Sequence, residues 1–334
     1  MALGLATAYQ VSQALAVAVR LAIPDLLAKG PKRSADLAQE TGTQPDKMYR
    51  LLRALAAFDV VKDQGGDEFE LAPGGQFLCT DAPNSVRSIV LMHGSDTFWQ
   101  IAASLGECVR TGKNAFQLLH GNEAVFDYLE THQDLARVFD NAMSGRSALS
   151  GFVAARAYDF ASIKHVVDVA GGHGKMLASI LKAYPHLRGT LYDLPRVVDG
   201  ASVFLAQEGI ADRCEVVGGD MFTSVPAGGD LYFLSRIIHD WDDPRATDIL
   251  RSCRRAISPN AKLLILDRVL PEQLQADPMA QSHAILDLTM MLWTAGGRER
   301  TAKEFAAIIE LAGLRLDRVI PTNIPDSLLE VTPS

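Results

Sequence analysis

From about residue 160 onward the chain alternates short apolar runs with helical segments, and few folds accept that pattern. The runs HVVDVAGG (165–172), GTLYDLP (189–195), CEVVGGD (214–220), DLYFLSRIIHD (230–240) and AKLLILDRVL (261–270) are rich in β-branched, leucine and aromatic residues. Between and after them lie KMLASILKAYP, ATDILRSCRRAI and TAKEFAAIIELAGL, whose apolar residues recur at helical spacing. Parallel strands need a long crossover, usually a helix, and strands covered on both faces read as near-continuous apolar runs. The pattern therefore predicts an α/β, doubly wound parallel sheet with helices on both faces. No repeat and no low-complexity tract interrupts it.

In VVDVAGGHGKML the first of these strands runs into Gly171, Gly172 and Gly174 and then into a helix. In a doubly wound sheet that turn is where a nucleotide-like ligand crosses the strand ends, and small residues let it approach the backbone. Asp193 ends the next strand about twenty residues later, where a carboxylate can accept hydrogen bonds from both hydroxyls of a ribose. Asp220 follows the third strand at an equivalent level, with Met221 and Phe222 beside it to pack on an adenine ring. Met176 and Leu177 stand where a dinucleotide fingerprint would carry its third glycine, so the loop suits an adenosyl group without a pyrophosphate. A turn or cap role remains the alternative for Asp193 and Asp220.

The first third of the chain reads as helical with one small strand pair. Ser34 is a candidate N-cap and Gly42 a stop for the helix between them. Met48, Leu51, Leu52, Leu55 and Phe58 share a helical face, and Gly65-Gly66 separates two extended runs as a hairpin would. Three helices and a hairpin are the pattern of a winged helix. The expected organisation is a winged-helix module over 1–85, a helical connector over 86–155 carrying Trp99, Phe116, Phe126, Tyr128 and Phe139 mainly as core, and the sheet domain over 156–334.

Composition narrows the ligands. The formal net charge is −8, and residues 31–62 hold six basic side chains (Lys32, Arg33, Lys47, Arg50, Arg53, Lys62) against four acidic ones (Asp36, Glu40, Asp46, Asp59). That margin is thin for tracking phosphates, so a DNA-binding regulator is the weaker reading and no nucleic-acid partner is expected. No apolar run approaches the roughly 20 residues of a membrane span, and the apolar N-terminus, broken by Gln10, Gln13 and Arg20, reads as a core or interface helix with no membrane partner. Cys79, Cys108, Cys214 and Cys253 form no CxxC pair and suit a reducing, cytoplasmic setting. The histidines show no HExxH or HxH spacing, so no metal is expected.

One histidine stands apart. In SRIIHDWDDP, His239 sits at the C-terminal end of a strand, the ligand side of the sheet, while Asp243-Pro244 reads as an N-cap and first helical residue.

The segments DVAGGHG, LYDLP, GGDMF, HDWDD and GGRERTAKEF, in this order and spacing, resemble the S-adenosylmethionine-dependent O-methyltransferases of the plant caffeate and flavonoid type and their bacterial small-molecule relatives. The resemblance covers nearly the whole chain. It implies a Rossmann-like methyltransferase sheet, an N-terminal module that pairs subunits into a homodimer, S-adenosylmethionine as cofactor with S-adenosylhomocysteine as product, and a small aromatic hydroxylated acceptor.

It also implies roles for particular residues. His239 becomes the general base, with Asp267 and Glu299 as its carboxylate partners; ion pairs of Asp267 with Arg268, and of Glu299 with Arg298 or Arg300, are the structural alternatives. The cofactor would be met by Asp168, Gly171, Gly172, Gly174, Asp193, Leu194, Asp220, Met221, Phe222, Ser235 and Arg236. The acceptor would be met by Met143, Asp240, Met290, Trp293 and Thr294. Asp267 is one methylene shorter than the glutamate of plant members, which implies a looser contact with His239. Ser235 replaces a lysine, and Ala170 replaces the first of three glycines. A dehydrogenase on the same sheet, or a relative that has turned to hydroxylation or decarboxylation, are the competing enzyme readings.

Overall fold

The computed structural model describes residues 2–82, 85–121 and 125–334, without the side chains of 127, 144, 146 and 148. The chain divides into two compact units, residues 1–103 with 129–145 and residues 104–128 with 146–334.

The first unit opens with helices Ala2–Arg20, Ile23–Leu27, Ser34–Thr41 and Pro45–Ala56. They pack with a small antiparallel sheet of β1 (Lys32–Arg33), β2 (Val61–Gly65) and β3 (Glu68–Leu71), in the order β1-β3-β2. The hairpin turns through Gly65, Gly66 and Asp67, all at positive φ. Three local readings are corrected. Ser34 is the first helical residue, not the cap; its hydroxyl bonds Asp67 instead. Met48, Leu52 and Leu55 are buried, whereas Phe58 lies beyond the helix end and is 57% exposed, because the helical period no longer governs its direction there. Helix Ala2–Arg20 is long and apolar enough by length and composition to cross a membrane, contrary to the reading that no run is; its first nine residues are exposed within this unit. Among the connector aromatics, Phe116, Tyr128 and Phe139 are buried, while Phe126 is exposed.

The second unit carries the large sheet: β4 (His165–Val169), β5 (Arg188–Asp193), β6 (Cys214–Gly218), β7 (Leu231–Ser235), β8 (Lys262–Leu270), β9 (Arg300–Thr301), β10 (Leu314–Pro321) and β11 (Asp326–Pro333). The order is β10-β11-β8-β7-β4-β5-β6, with β9 beside the end of β8. β4 to β9 pair in parallel, but β11 runs antiparallel between β8 and β10. An all-parallel sheet is thus corrected at one edge, where β10 and β11 are joined by too short a segment for a crossover.

Side chains alternate across this sheet as the two-residue period requires. Val166, Leu231, Phe233, Leu264 and Leu266 enter one core, with Leu177, Ile180 and Leu181 of helix Lys175–Ala183. Val167, Tyr232, Leu234, Leu263 and Ile265 enter the other, with Ile249 and Leu250 of helix Asp243–Ala256 and Phe305 and Ile309 of helix Ala302–Leu311. At about 1.5–3 kcal/mol for each fully buried Val, Leu, Ile or Phe, these two layers dominate the stability of the unit. Because β4 to β8 are parallel, their C-terminal ends, and the residues that follow them, gather along one edge.

Candidate active site

At the end of β4, the loop 170–174 folds tightly over Asp168. A Cβ on Gly171 would lie 2.5 Å from the Asp168 Oδ2 and 2.6 Å from Leu191, so only glycine fits. Gly172 takes φ +60 and its side faces open space, leaving its backbone approachable. Ala170 also lies at positive φ (57°), a left-handed conformation that costs an L-residue roughly 1–2 kcal/mol. The replacement of the first glycine is therefore accommodated under strain.

Two carboxylates converge on this loop. Asp193 closes β5, where its Oδ2 accepts the Gly172 N–H (2.8 Å) and its Oδ1 the Leu194 N–H (2.7 Å). Burial raises its pKa against those two donors. Asp168 is fully buried, and neither of its oxygens has a hydrogen-bond partner among the described residues. Burial and the charge of Asp193 push it well above the usual carboxylate range. A buried carboxylate without donors is costly, and a ligand bearing a cationic ammonium and hydroxyl donors matches this pair. Asp220 is exposed and accepts the Phe222 N–H, forming the local turn that was its structural alternative. Met221 and Phe222 are half-buried beside it, Phe222 edge-on to Trp241 at 4.9 Å.

The histidine end is built differently. After β7, Arg236 adopts φ 56° and the chain enters the short 3₁₀ turn Ile238–Asp240. Helix Asp243–Ala256 follows, capped by Asp242, whose side chain accepts the Arg245 N–H. Asp243 is thus the first helical residue and Pro244 the second, one step from the sequence reading; this leaves the Asp243 carboxylate to pair with Arg298 and Arg300.

His239 is 7% exposed. Its Nδ1 lies 3.0 Å from Asp267 Oδ1 and 3.0 Å from Glu299 Oε1, while Nε2 is 3.6 Å from Asp240 Oδ1. Asp267, on β8 beside the turn, also accepts the His239 N–H at 3.2 Å. The aspartate, though shorter than glutamate, therefore contacts the ring directly. Glu299 is set by its own neighbours: its N–H donates to Asp287 (2.9 Å), and immediately after β9 a capping box of Thr301 and Glu304 starts the next helix. A Cβ at Gly297 would lie 2.6 Å from the His239 carbonyl oxygen, so the glycine pair before RERT allows that segment to reach the histidine turn.

The arginine alternatives are not realised. Arg268 donates to Ser282 and faces Asp326, Arg298 meets Asp243 and Glu304, and Arg300 meets Asp243. Neither acid forms an ion pair with these arginines, although Asp267 Oδ1 also accepts the Arg268 backbone N–H at 3.1 Å. Burial disfavours the imidazolium, but the charges of Asp267 and Asp240 and the hydrogen bonds of Asp267 and Glu299 outweigh it. The His239 pKa stands well above its ordinary value. Burial lifts Asp240 to about 6, helped by Asp267 and Glu299 and opposed by His239. Burial raises Glu299 as well, against the lowering effect of His239. The donor atoms of His239, Asp267 and Glu299 lie within 4.8 Å of one another, so the set is also one that a metal ion can use.

The remaining sequence-named residues fall in several places. Ser235 is half-buried at the end of β7, and Arg236 pairs with the buried Asp326 on β11. Met290 and Trp293 are buried on helix Pro278–Trp293. The Thr294 hydroxyl donates to the Met290 carbonyl and accepts the Gly297 N–H, each at 2.8 Å. Thr294 also lines a cleft of about 510 Å³ with Asn114, Gln117, Asp287, Met291 and Arg298, which Met290 and Trp293 do not line. Met143 belongs to the other unit, half-buried on helix Gln133–Ala157. Asp287, Gly297 and Arg300 are contributors to the site that sequence reasoning missed. Gly297 lies within the GGRERT segment, but nothing in the sequence marks its role or that of Asp287, and Arg300 figures there only as a possible ion-pair partner of Glu299.

Comparison with known proteins identifies the family. A family model described as an O-methyltransferase domain matches residues 102–315, and one described as an O-methyltransferase dimerisation domain matches residues 3–81. The chain is 39% identical to the phenazine O-methyltransferase PhzM of Lysobacter antibioticus over 98% of this chain and 94% of that protein. It is 36% identical to the aclacinomycin 10-hydroxylase RdmB of Streptomyces purpurascens over 91% and 81%. Among solved structures, the S-adenosylhomocysteine-bound form of CalO1, a methyltransferase in calicheamicin biosynthesis, superposes with a TM-score of 0.86 at 33% identity, covering 100% of this chain and 98% of that one.

Proposed function

The chain belongs to the S-adenosylmethionine-dependent O-methyltransferases, and from that premise we propose that His239 is the base that deprotonates a phenolic hydroxyl of a small aromatic natural product, with no metal ion taking part. The observation that carries this reading is the placement of Nδ1 between two buried carboxylates. That arrangement puts the ring's proton on Nδ1 and leaves Nε2 for the acceptor.

When bound, S-adenosylmethionine supplies a methyl group already activated on sulfur, so the chain's task is to hold, orient and deprotonate. A phenol with a pKa near that of tyrosine, about 10, is mostly neutral at pH 7, and a base at hydrogen-bond distance populates the nucleophile. As His239 takes that proton, Asp267 and Glu299 stabilise the imidazolium. The raised pKa makes His239 a stronger base, at the cost of a smaller neutral fraction near pH 7. Asp193 is assigned to the ribose hydroxyls, and Asp168 with Gly171, Gly172, Gly174 and Leu194 to the amino-acid end. Asp220, Met221, Phe222 and Ser235 are assigned to the adenine side. Asp240, Met290, Trp293 and Thr294 are assigned to the acceptor, with methionine and tryptophan suited to a flat ring. The phenazine relative supports an aromatic acceptor. The dimerisation model over residues 3–81 and the exposed Leu3 and Leu5 support a homodimer formed through the N-terminal module, and the four free cysteines suit a reducing, cytoplasmic setting.

The test is transfer of a labelled methyl group from S-adenosylmethionine to a panel of hydroxylated arenes, with and without chelator. Wild-type turnover is expected to survive chelation, and His239→Ala is expected to lower kcat by about 10²–10⁴-fold, the usual worth of a positioned base. Undiminished turnover in the variant removes the base assignment. Loss on chelation makes His239, Asp267 and Glu299 a metal site. A product heavier by oxygen rather than methylene moves the chain to the hydroxylase reading, the activity its relative RdmB is named for.

A further inference from the structure

Arg300 is 0% exposed, and it spends none of its donors on the acids or the imidazole of the site. Its Nε and one terminal nitrogen donate to Asp243 Oδ1 at 3.0 and 2.8 Å. That same nitrogen donates to the Trp241 carbonyl at 2.7 Å, and the other donates to the carbonyls of Ile238 (3.1 Å) and Arg298 (3.4 Å). The guanidinium has five N–H groups, and all five are used.

Ile238 and Trp241 bracket His239 in the chain, and the 3₁₀ turn between them has no side-chain cap of its own. Glu299 holds the ring of His239, and Arg300, the next residue, holds the backbone on either side of it. The two contacts act on different parts of the residue, one on the ring and the other on the flanking backbone, where Asp267 also accepts the His239 N–H.

We propose that Arg300 is a positioning residue for methyl transfer. It fixes the turn 238–241 so that His239 Nε2 is held at the correct distance and angle for the acceptor oxygen. This rests on His239 acting as the base. A lysine at 300 keeps the charge but offers donors from one nitrogen only, and cannot span both the Ile238 and Trp241 carbonyls as the planar fork does. An error of about 1 Å in a reacting group can cost about 10²-fold in rate.

The experiment compares wild type, Arg300→Lys, His239→Ala and the double variant, with kcat expressed per S-adenosylmethionine-binding site counted by calorimetry. Arg300→Lys is expected to bind the cofactor with unchanged affinity, to lower kcat about 10- to 100-fold, and to raise the acceptor KM little. The histidine limb of its pH–rate profile is expected to move to lower pH, as the turn drifts from Asp267 and Glu299. Arg300→Lys is expected to cost nothing further in the His239→Ala background, since there is no base left to place. Unchanged kcat per site and an unmoved limb, with only a lower melting temperature, overturn the proposal and leave Arg300 as a structural brace. If His239→Ala itself retains turnover, it is the base assignment that fails. Should Arg300→Lys give no folded protein, Asp243→Asn decides: it weakens the same clamp from its exposed side, and a normal kcat with a normal limb in that variant also overturns the proposal.

Discussion

The two ends of the site bury carboxylates in opposite ways. At the glycine loop, Asp168 is sealed under Gly171 with no donor on either oxygen among the described residues, and Asp193 receives only backbone N–H groups. At the histidine turn, Asp267 and Glu299 share one imidazole nitrogen that can carry the compensating charge. The first end offers its acids no side-chain cation, whereas the second sets a protonatable imidazole against its acids, with Glu299 Oε2 still unpartnered among the described residues. The lesson is that one end is built to bind and the other to hold a proton, and their variants should fail differently.

The largest contrast is between His239→Ala and Gly171→Ala. The histidine variant should keep its affinity for S-adenosylmethionine while kcat collapses. The glycine variant must push a Cβ into Asp168 and Leu191. Overpacking of this kind costs about 1–3 kcal/mol, equivalent to about 5–150-fold if it falls entirely on cofactor affinity. Calorimetry and saturating-substrate rates on both proteins check this; a shared loss of binding would dissolve the contrast.

Next in size is Asp267→Asn. Losing a hydrogen bond to a charged partner, worth about 1.5–3 kcal/mol, is expected to lower kcat about tenfold or more. The pH–rate limb should move to lower pH, because the carboxylate that raises His239 is gone. An unmoved limb would show that Glu299 and Asp240 suffice.

Stability against pH sharpens the comparison further. His239 is raised in the folded state, so its contribution is complete below the unfolded value of about 6.5 and is lost as pH climbs through the folded one. Asp240, at about 6, and the raised Asp168, Asp193 and Glu299 bind protons more readily folded than unfolded. They too make stability fall as pH rises through their folded values. The melting temperature is therefore expected to decline from mildly acidic to alkaline pH, and a flat profile would contradict the burial of these groups. The smallest effect is expected from Ala170→Gly. Relief of roughly 1–2 kcal/mol of left-handed strain, partly offset by about 0.4–1 kcal/mol of unfolded-chain entropy, leaves a gain between about 0 and 1.6 kcal/mol, readable by urea denaturation.

Much of this architecture was legible because it rests on periodicity and order along the chain. The alternation after residue 160, the loop between β4 and its helix, and His239 beyond a strand follow from side-chain pattern alone. Errors clustered where one residue of register matters, at Ser34, Phe58 and Asp243, since caps and helix ends depend on hydrogen bonds that pattern does not carry. The reversed β11 also escaped, because the direction in which it pairs with the edge strand β10 is set by the length of their connection rather than by composition.

By itself, then, the sequence determined the sheet and its ligand edge, which are properties of local pattern, while Asp267 and Glu299 were named beside His239 by the family resemblance. Only the tertiary structure decided who partners whom. RERT could have paired Glu299 with either flanking arginine, and DR could have paired Asp267 with Arg268. Instead, β9 lies beside the end of β8, and Arg298 and Arg300 are drawn to Asp243. Charges adjacent in sequence were separated by the alternation of extended chain, and those distant in sequence were joined by the parallel strand ends. For that physical reason Asp267 and Glu299 meet at His239, with Arg300 gripping the backbone on either side of it.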